Sequence, residues 1–238
     1  MTDKKTWDEI AEEYYYKGYT ASDWELGYYF VNEMLGNIKG KTILDYGCGS
    51  GKFTRHLRNK GAKLIGVDIS ENAIKIAKEK SQKDILFKTI KNSKLDFINN
   101  DSIDTVISTY VFCAIKEANE IQEAFNQIYS KLKSKGDFVM LDPHPDSTGY
   151  HFISVYREKP KKFEIETPVK IKLSGMKSAF YDYYKSVDNY IEMMENAGFE
   201  IKEIRAPLAK DSKNKNIEWK DEIIYPPNII IKAQKMIP

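Results

Sequence analysis

The chain has 238 residues, which is long enough for one α/β domain with an insertion. Its 37 Lys and Arg residues nearly balance its 35 Asp and Glu residues, so the charge gives no case for a nucleic-acid partner. The two cysteines, Cys48 and Cys113, offer neither a disulfide framework nor the spacing of a metal site.

The N-terminal residues and the apolar runs bear on location. The sequence begins with MTDKKTWDEIAEE, which is charged and lacks the apolar stretch of a signal peptide. No apolar run approaches the ~20 residues that are needed to span a bilayer. We therefore expect a cytoplasmic protein with no membrane partner, and the cysteine usage fits a reducing compartment.

Two helices are predicted ahead of the first strand. The first covers residues 6–17, with Thr6 as its N-cap and Glu9 completing a capping box. The second covers residues 21–36, with Ser22 as its cap and apolar residues recurring at helical spacing up to Gly36.

Strands and helices then alternate along the chain. Strands are predicted at 41–46, 63–67, 84–88, 103–108 and 136–141, and helices at 51–60, 71–80 and 117–133. This alternation indicates a parallel sheet with helices on both faces.

The alternation breaks after Asp142. Residues 143–185 contain one strand-like stretch, at 169–173, and are too long for an ordinary loop, which predicts a functional insertion. A helix at 187–197 and strands at 199–206 and 228–235 complete the predicted elements.

The most informative stretch runs from the first strand into the helix that follows it. A buried strand reaches Asp45 and is followed by a turn that contains Gly47, Gly49 and Gly51. Glycine lets the backbone approach a ligand closely, and the helix N-terminus adds outward-facing N–H groups. Asp68 ends the second strand, where an acid commonly holds the two hydroxyls of a ribose. The pattern predicts a cofactor that contains a nucleoside.

Two kinds of nucleoside cofactor bind at glycine-rich turns of this type. A dinucleotide requires the spacing G-x-G-x-x-G, whereas here the glycines follow G-x-G-x-G. Asp45, two residues before the first glycine, would repel a pyrophosphate but suits a cationic ammonium or sulfonium. The residues therefore favour a cationic cofactor over NAD.

The string ILDYGCGSGKFT, followed by GVDIS, resembles the first two motifs of class I S-adenosylmethionine (SAM)-dependent methyltransferases. The whole chain is similar to the bacterial small-molecule (type 11/12-like) group of that class. The resemblance implies a Rossmann-like α/β fold with a seven-stranded, mostly parallel sheet and an antiparallel last strand. It implies a single domain at 1–238, lid helices at 1–40 and a substrate cap at 143–185. It also implies SAM as cofactor and S-adenosylhomocysteine as product.

The resemblance assigns the cofactor contacts. The glycine turn would wrap the methionine part of SAM, with Cys48 as a small space-filling residue that carries no chemistry. Asp45 would face the ammonium group, and Asp68 would hold both ribose hydroxyls. The other predicted cofactor contacts are Ile69 on the adenine, Asn92 where the family usually carries an acid, Thr109 and Tyr110 near the methyl donor, and Tyr19.

The predicted catalytic and substrate-binding residues are tyrosines and histidines. Tyr14 is predicted to be catalytic and Tyr15 to contact the substrate, unless these tyrosines only dock the first helix onto the sheet. His144, directly after the fifth strand, is predicted as a general base, with a role in capping the turn as the alternative. The other predicted substrate contacts are Tyr150, His151 and Tyr183. No metal site is predicted.

The sequence thus predicts methyl transfer to an O, N or C atom of a small molecule by a monomer or homodimer. The end of the fourth strand lacks the [Asp/Asn]-Pro-Pro-[Tyr/Phe] motif of DNA-base methyltransferases, so no nucleic-acid substrate is expected. Two alternatives remain: an enzyme of the same fold that cyclises or cleaves SAM, and a protein methyltransferase.

Overall fold

A computed structural model describes residues 4–17 and 19–236. Residues 1–3, 18, 237 and 238 lie outside the described residues. The predicted domain at 1–238 includes all of them, and the predicted lid at 1–40 includes residues 1–3 and 18.

The helices and strands follow the predicted order. The helices are α1 (Lys4–Lys17), α2 (Ala21–Asp23), α3 (Tyr29–Leu35), α4 (Lys52–Asn59), α5 (Glu71–Lys80), α6 (Ala118–Lys131) and α7 (Val187–Asn196). The strands are β1 (Thr42–Tyr46), β2 (Lys63–Asp68), β3 (Leu86–Thr89), β4 (Ile103–Thr109), β5 (Leu132–Pro143), β6 (Val155–Arg157), β7 (Pro168–Leu173), β8 (Ala179–Tyr183), β9 (Phe199–Arg205) and β10 (Asn228–Lys235).

Seven strands form the main sheet, in the order β3-β2-β1-β4-β5-β10-β9. Strands β1 to β5 pair in parallel, and β10 is antiparallel to both β5 and β9. This sheet confirms the predicted Rossmann-like fold and its antiparallel last strand. The strand order reverses between β1 and β4, and in open α/β sheets ligands bind outside the carboxyl ends of the strands at that switch point.

The central strands are apolar on both faces because helices cover both sides of the sheet. Along β5, Phe138 and Met140 pack into the core with α6 and α7, whereas Val139 and Leu141 pack on the opposite face with α3 and α4. The buried sheet is therefore a rigid platform, and the loops at its carboxyl edge are held in fixed positions.

The segment after β5 forms a second sheet in which β6, β7 and β8 pair antiparallel, here called the cap sheet. Val169, Ile171 and Phe180 of the cap sheet form a small apolar cluster with Ile10 of α1. The apolar pattern of the sequence predicted only the middle strand, β7. Strand β6 has three residues, and the polar residues of β8 break the apolar alternation that marks a strand.

Two predicted helix caps were wrong. Thr6 lies inside α1, and Thr20 rather than Ser22 caps the second helical segment. Thr20 Oγ1 accepts a hydrogen bond from Asp23 N at 3.1 Å, and Asp23 Oδ2 accepts one from Thr20 N at 2.9 Å. A π-helical turn, Trp24–Tyr28, joins α2 to α3. Within the described parts of the chain, no helix combines the length and apolar character required to cross a membrane.

Candidate active site

Two adjoining cavities open at the carboxyl edge of the sheet. The first cavity lies beside the ends of β1 and β2, and its lining includes Asp68, Ile69 and Asn92. The second cavity lies between the sheet edge and the cap sheet, and its lining includes Asp45 and Asp182. The two cavities share one wall made of Trp7, Tyr14, Gly47, Gly49, Ser50, Thr109 and Tyr110.

The turn after β1 follows the wall between the cavities. The amides of Gly47 and Cys48 donate to the carbonyl of Val67 at 2.8 and 2.9 Å, which fixes the turn on β2. Gly47 has φ +79°, and a Cβ there would lie 2.1 Å from Val111 Cγ2. Gly49 has φ +50°, and a Cβ there would meet nothing within 4 Å. The backbone at Gly49 is therefore open to a ligand, whereas Gly47 is required for packing.

Gly51 has a different role from the other two glycines. It is the N-cap of α4 with φ +73°, and a Cβ there would lie 2.8 Å from Phe87 Cζ. Gly51 lines neither cavity. Cys48 lines the second cavity, and burial raises the pKa of its thiol well above the usual value, so the thiol remains protonated at neutral pH.

Asp68 connects the turn to the start of α5. Its Oδ2 accepts a hydrogen bond from Gly49 N at 2.8 Å, and its Oδ1 accepts one from Ser70 N at 2.9 Å. Burial raises the pKa of Asp68, and these two amides oppose that shift. Each carboxylate oxygen keeps a further lone pair, so Asp68 can still accept hydrogen bonds from a vicinal diol in the first cavity.

Asp45 is a buried carboxylate with an unused oxygen. Its Oδ2 accepts a hydrogen bond from Thr54 Oγ1 at 2.5 Å, and its Oδ1 has no hydrogen-bond partner among the described residues. Burial raises the pKa of Asp45 to about 7, against the opposing effect of the Thr54 hydrogen bond. A buried oxygen of this kind costs free energy unless a ligand supplies a donor, and the second cavity admits one.

Aromatic side chains cover both cavities. Tyr14 of α1 faces both of them, and burial raises its pKa far above the usual range, so it is a neutral phenol. Tyr19 lines the second cavity, with its ring 4.4 Å from that of Tyr28. Tyr110 lies on the shared wall and donates from its hydroxyl to Asn228 Oδ1 at 3.2 Å.

His144 lies outside both cavities. It precedes a 3₁₀ turn, and its Nδ1 accepts a hydrogen bond from Asp146 N at 3.2 Å. Burial lowers the pKa of His144, which keeps the ring neutral. The structure therefore shows the turn-capping arrangement at this residue, and the ring is not brought to the predicted site of catalysis.

The four predicted substrate contacts, Tyr15, Tyr150, His151 and Tyr183, also line neither cavity. Tyr15 packs over Lys52, whose Nζ lies 5.0 Å from the ring centre. Tyr150 stacks on Tyr225 with ring centres 3.6 Å apart, and the exposed His151 stacks on Tyr156. Tyr183 lies beside Lys185, 5.7 Å from its Nζ. Each side chain has a local packing role on the cap or lid.

Several residues that line the cavities were not predicted as site residues from the sequence. Trp7 is on the shared wall, and Arg157, Asp182 and Asn228 line the second cavity. Asp182 and Arg157 belong to β8 and β6, strands that the apolar pattern did not reveal. Only the cap topology brings these two residues to the ends of β1 and β4.

The family model described as a methyltransferase domain matches residues 28–204, which is well over half of the chain. The chain belongs to the methyltransferase domain family. This confirms the predicted membership and the predicted cofactor, S-adenosylmethionine.

Relatives and solved structures agree with this assignment. The methyltransferase is 31% identical over 209 residues to N-demethylindolmycin N-methyltransferase of Streptomyces griseus, covering 83% of this chain and 87% of that protein. It is 30% identical over 186 residues to carboxy-S-adenosyl-L-methionine synthase of Campylobacter jejuni, covering 70% and 75%. The fold matches the CcbJ methyltransferase of Streptomyces caelestis with a TM-score of 0.70 at 18% identity, covering 99% and 100%.

The lining residues of this methyltransferase fit SAM. The unused Oδ1 of Asp45 offers an acceptor to an ammonium group, the open backbone at Gly49 allows close approach, and Asp68 can receive a ribose. Thr109 and Tyr110 stand where the two cavities meet.

Proposed function

We propose that this enzyme transfers the methyl group of SAM to a nitrogen atom of a small molecule that carries an aromatic or apolar body. The observation that carries the proposal is the second cavity, which adjoins the first at Thr109 and Tyr110. Most of its lining is aromatic or apolar, and charged residues such as Asp45 and Asp182 interrupt it. The relative from Streptomyces griseus, an N-methyltransferase by its name, supports nitrogen as the acceptor.

The residues that line each cavity indicate which part of the cofactor or substrate it would bind. The adenosyl part of the cofactor occupies the first cavity, with Asp68 on the ribose and Ile69 on the adenine; Asn92 accepts from the adenine amino group. The methionine part extends along the shared wall to Asp45, and the acceptor occupies the part of the second cavity next to the cap sheet. Bound SAM supplies a methyl group on a positive sulfur, and the leaving group is neutral. Alignment of the acceptor with that methyl group is therefore the main task of the protein. Tyr14 and Tyr110, on the shared wall, limit the directions from which an acceptor can approach.

Nitrogen suits this lining better than a hydroxyl acceptor does. A neutral amine attacks with its lone pair and releases a proton afterwards, whereas a hydroxyl needs a base during attack. Among the described residues that line the second cavity there is no histidine, and the phenol of Tyr14 is held neutral by burial. Of the carboxylates in that lining, Asp45 is assigned to the ammonium group of the cofactor and Asp182 is paired with Arg157. Tyr14 is accordingly proposed as a positioning group and not as a base.

A second candidate is SAM chemistry without methyl transfer. The relative from Campylobacter jejuni, a carboxy-S-adenosyl-L-methionine synthase by its name, favours it. Incubation with SAM and a trial acceptor, followed by mass spectrometry, separates the two. Stoichiometric S-adenosylhomocysteine with a methylated acceptor supports our proposal, and any other SAM-derived product contradicts it.

Cofactor binding is tested by calorimetry with S-adenosylhomocysteine. We expect binding to the wild type and none to Gly49→Arg, because the new side chain would project into the space that a ligand needs. Gly36→Arg is the matched control, since Gly36 also has positive φ and open space but lies at the end of α3. Equal loss in both variants, or no binding to the wild type, would contradict the proposed site.

The acceptor class is tested with labelled methyl groups. N-Demethylindolmycin serves as the first trial acceptor, and a bacterial extract separated into protein and small-molecule fractions serves as the second. We expect label in the small-molecule fraction, because α1 and the cap sheet cover the second cavity. Label confined to the protein fraction would indicate a protein methyltransferase. We also propose that the enzyme acts in the cytoplasm as a monomer or homodimer, where its two free thiols remain reduced.

A further inference from the structure

Asp182 is a charged side chain on the cap-sheet side of the second cavity. It lies in β8 and is 3% exposed, yet it forms part of the cavity lining. A buried carboxylate needs a partner of opposite charge or hydrogen-bond donors, because desolvation of the charge is costly. The contacts of Asp182 therefore decide what the cavity can receive.

Arg157 is the charged partner of Asp182, and it is held by other groups. Its Nη1 donates to the carbonyl of His144 at 2.9 Å and to Ser147 Oγ at 2.7 Å. Its Nε lies 3.5 Å from Asp182 Oδ2 and makes no hydrogen bond among the described residues. The hydrogen bonds to His144 and Ser147 fix the guanidinium, which balances the charge of Asp182. Asp182 also accepts a hydrogen bond from the Cys113 thiol, and the remaining lone pairs of its two oxygens can accept from a ligand.

Other polar groups at this end of the cavity are already engaged. Asn228 accepts from Tyr110 and donates from Nδ2 to the carbonyl of Leu26 at 3.1 Å. The ammonium of the nearby Lys185 donates to the carbonyls of Ile115 and Tyr183. Asp182 is therefore the charged group of the cap sheet that is placed to meet a donor from a ligand.

Aromatic rings flank this carboxylate. Phe180, two residues before Asp182, lines the same cavity, and its ring lies 5.4 Å from that of Trp7. Trp7 in turn packs edge-on against Tyr14 at 6.1 Å. A carboxylate beside aromatic faces is a favourable environment for a protonated amine, since the ring faces also attract positive charge.

We propose that Asp182 is a substrate subsite that binds a basic amine, with Arg157 holding the carboxylate in position. The proposal rests on the proposed function, in which the second cavity receives the acceptor. It adds that the enzyme selects molecules with an aromatic body and a protonated basic nitrogen, separate from the neutral nitrogen that is methylated, over those in which a hydroxyl replaces that basic nitrogen.

The test uses a pair of probes that differ only in this group, 2-phenylethylamine and 2-phenylethanol. Binding of each to the protein saturated with S-adenosylhomocysteine is followed by ligand-observed NMR. We expect the wild type to bind the amine about ten- to a hundredfold more tightly, the range of one charge-assisted hydrogen bond. Asp182→Asn should reduce the preference to about twofold, while the affinity for S-adenosylhomocysteine stays unchanged.

Two further variants keep the test decisive. Asp188→Asn makes the same change at an exposed position on α7 and should retain the full preference. Asp182→Glu keeps the charge and should retain most of it, which covers the case in which Asp182→Asn fails to fold beside the buried Arg157. A wild type without an amine preference, or an Asp182→Asn protein that keeps it, overturns the proposal. A wild type that does not bind S-adenosylhomocysteine would instead overturn the proposed function.

Discussion

At the scale of single residues, Asp45 links cofactor binding to pH. Its carboxyl has a pKa raised to about 7 by burial, so a large fraction is protonated in the free protein near neutrality. A bound ammonium favours the ionised form and lowers this pKa, so binding releases a proton. The affinity for SAM should therefore fall as the pH drops below about 7.

This prediction can be measured by calorimetry between about pH 6 and pH 7.5. We expect the affinity of the wild type for SAM to rise several-fold over that range, because the ionised fraction of a group with a pKa near 7 rises by about that factor. Asp45→Asn should bind more weakly and lose most of the slope. The charge of Asp68 also raises the pKa of Asp45, so Asp68→Asn is the control that should keep a slope. An unchanged slope in Asp45→Asn would exclude Asp45 as its source.

The contiguous motif of the sequence lies at the cavities in the structure. Asp45, Gly49 and Asp68 line the cavities because a strand end and a tight turn fix the direction of each group. The same reasoning did not bring His144 to the site, because its ring direction depends on a turn that begins at the next residue. Asp182 was not found, because β8 was not predicted as a strand and its position depends on how the β7–β8 hairpin packs against α1.

At the scale of secondary-structure elements, α1 joins the two halves of the site. Asp8 Oδ1 accepts hydrogen bonds from Ser70 Oγ at 2.7 Å and Asn72 N at 3.2 Å, at the start of α5. Near the other end of the helix, Glu13 accepts from the amides of Lys177 and Ser178 in the turn before β8. Helix α1 is therefore held by side-chain contacts to α5 on one side and to the cap sheet on the other.

We predict that Asp8→Ala accelerates release of S-adenosylhomocysteine. Loss of the carboxylate removes hydrogen bonds from Ser70 and Asn72, so α1 should open more readily over the first cavity. The dissociation rate, measured by stopped-flow fluorescence, should rise roughly three- to tenfold, the effect of losing one or two such bonds. Glu12→Ala, at an exposed position of the same helix, should leave the rate unchanged. An equal rate in Asp8→Ala and wild type would show that α1 does not control release.

At the scale of the whole molecule, the sequence predicted the main sheet better than the cap sheet. The apolar strands β1, β4 and β5 are buried on both faces and so produce clear signals, and their order follows from the rules for parallel α/β sheets. The cap sheet packs on α1, and its strands are short and half exposed. The residues that lead into β6 are hydrogen-bonded to the segment between β9 and β10. Its shape depends on contacts between distant segments that no local pattern contains.

Glu222 makes the clearest of these contacts between distant segments. A substitution there tests whether these contacts stabilise the cap sheet and the segments around it. Its buried carboxylate accepts from Ser22 Oγ at 3.1 Å and from Ile153 N at 2.7 Å, so it connects α2, the start of the cap and the segment before β10. Glu222→Ala leaves both donors unpaired in the interior and should lower the free energy of unfolding by about 2–4 kcal/mol.

The damage from Glu222→Ala should also be local, because the main sheet has its own core. Hydrogen exchange of the native protein should become faster in β6 to β8 and in residues 206–227, while β1, β4 and β5 stay protected. Glu218→Ala, at an exposed position of the same segment, should change neither stability nor exchange. Uniformly faster exchange across both sheets would show that the cap sheet and the main sheet unfold as one unit. The cap sheet could then not open separately to admit substrates.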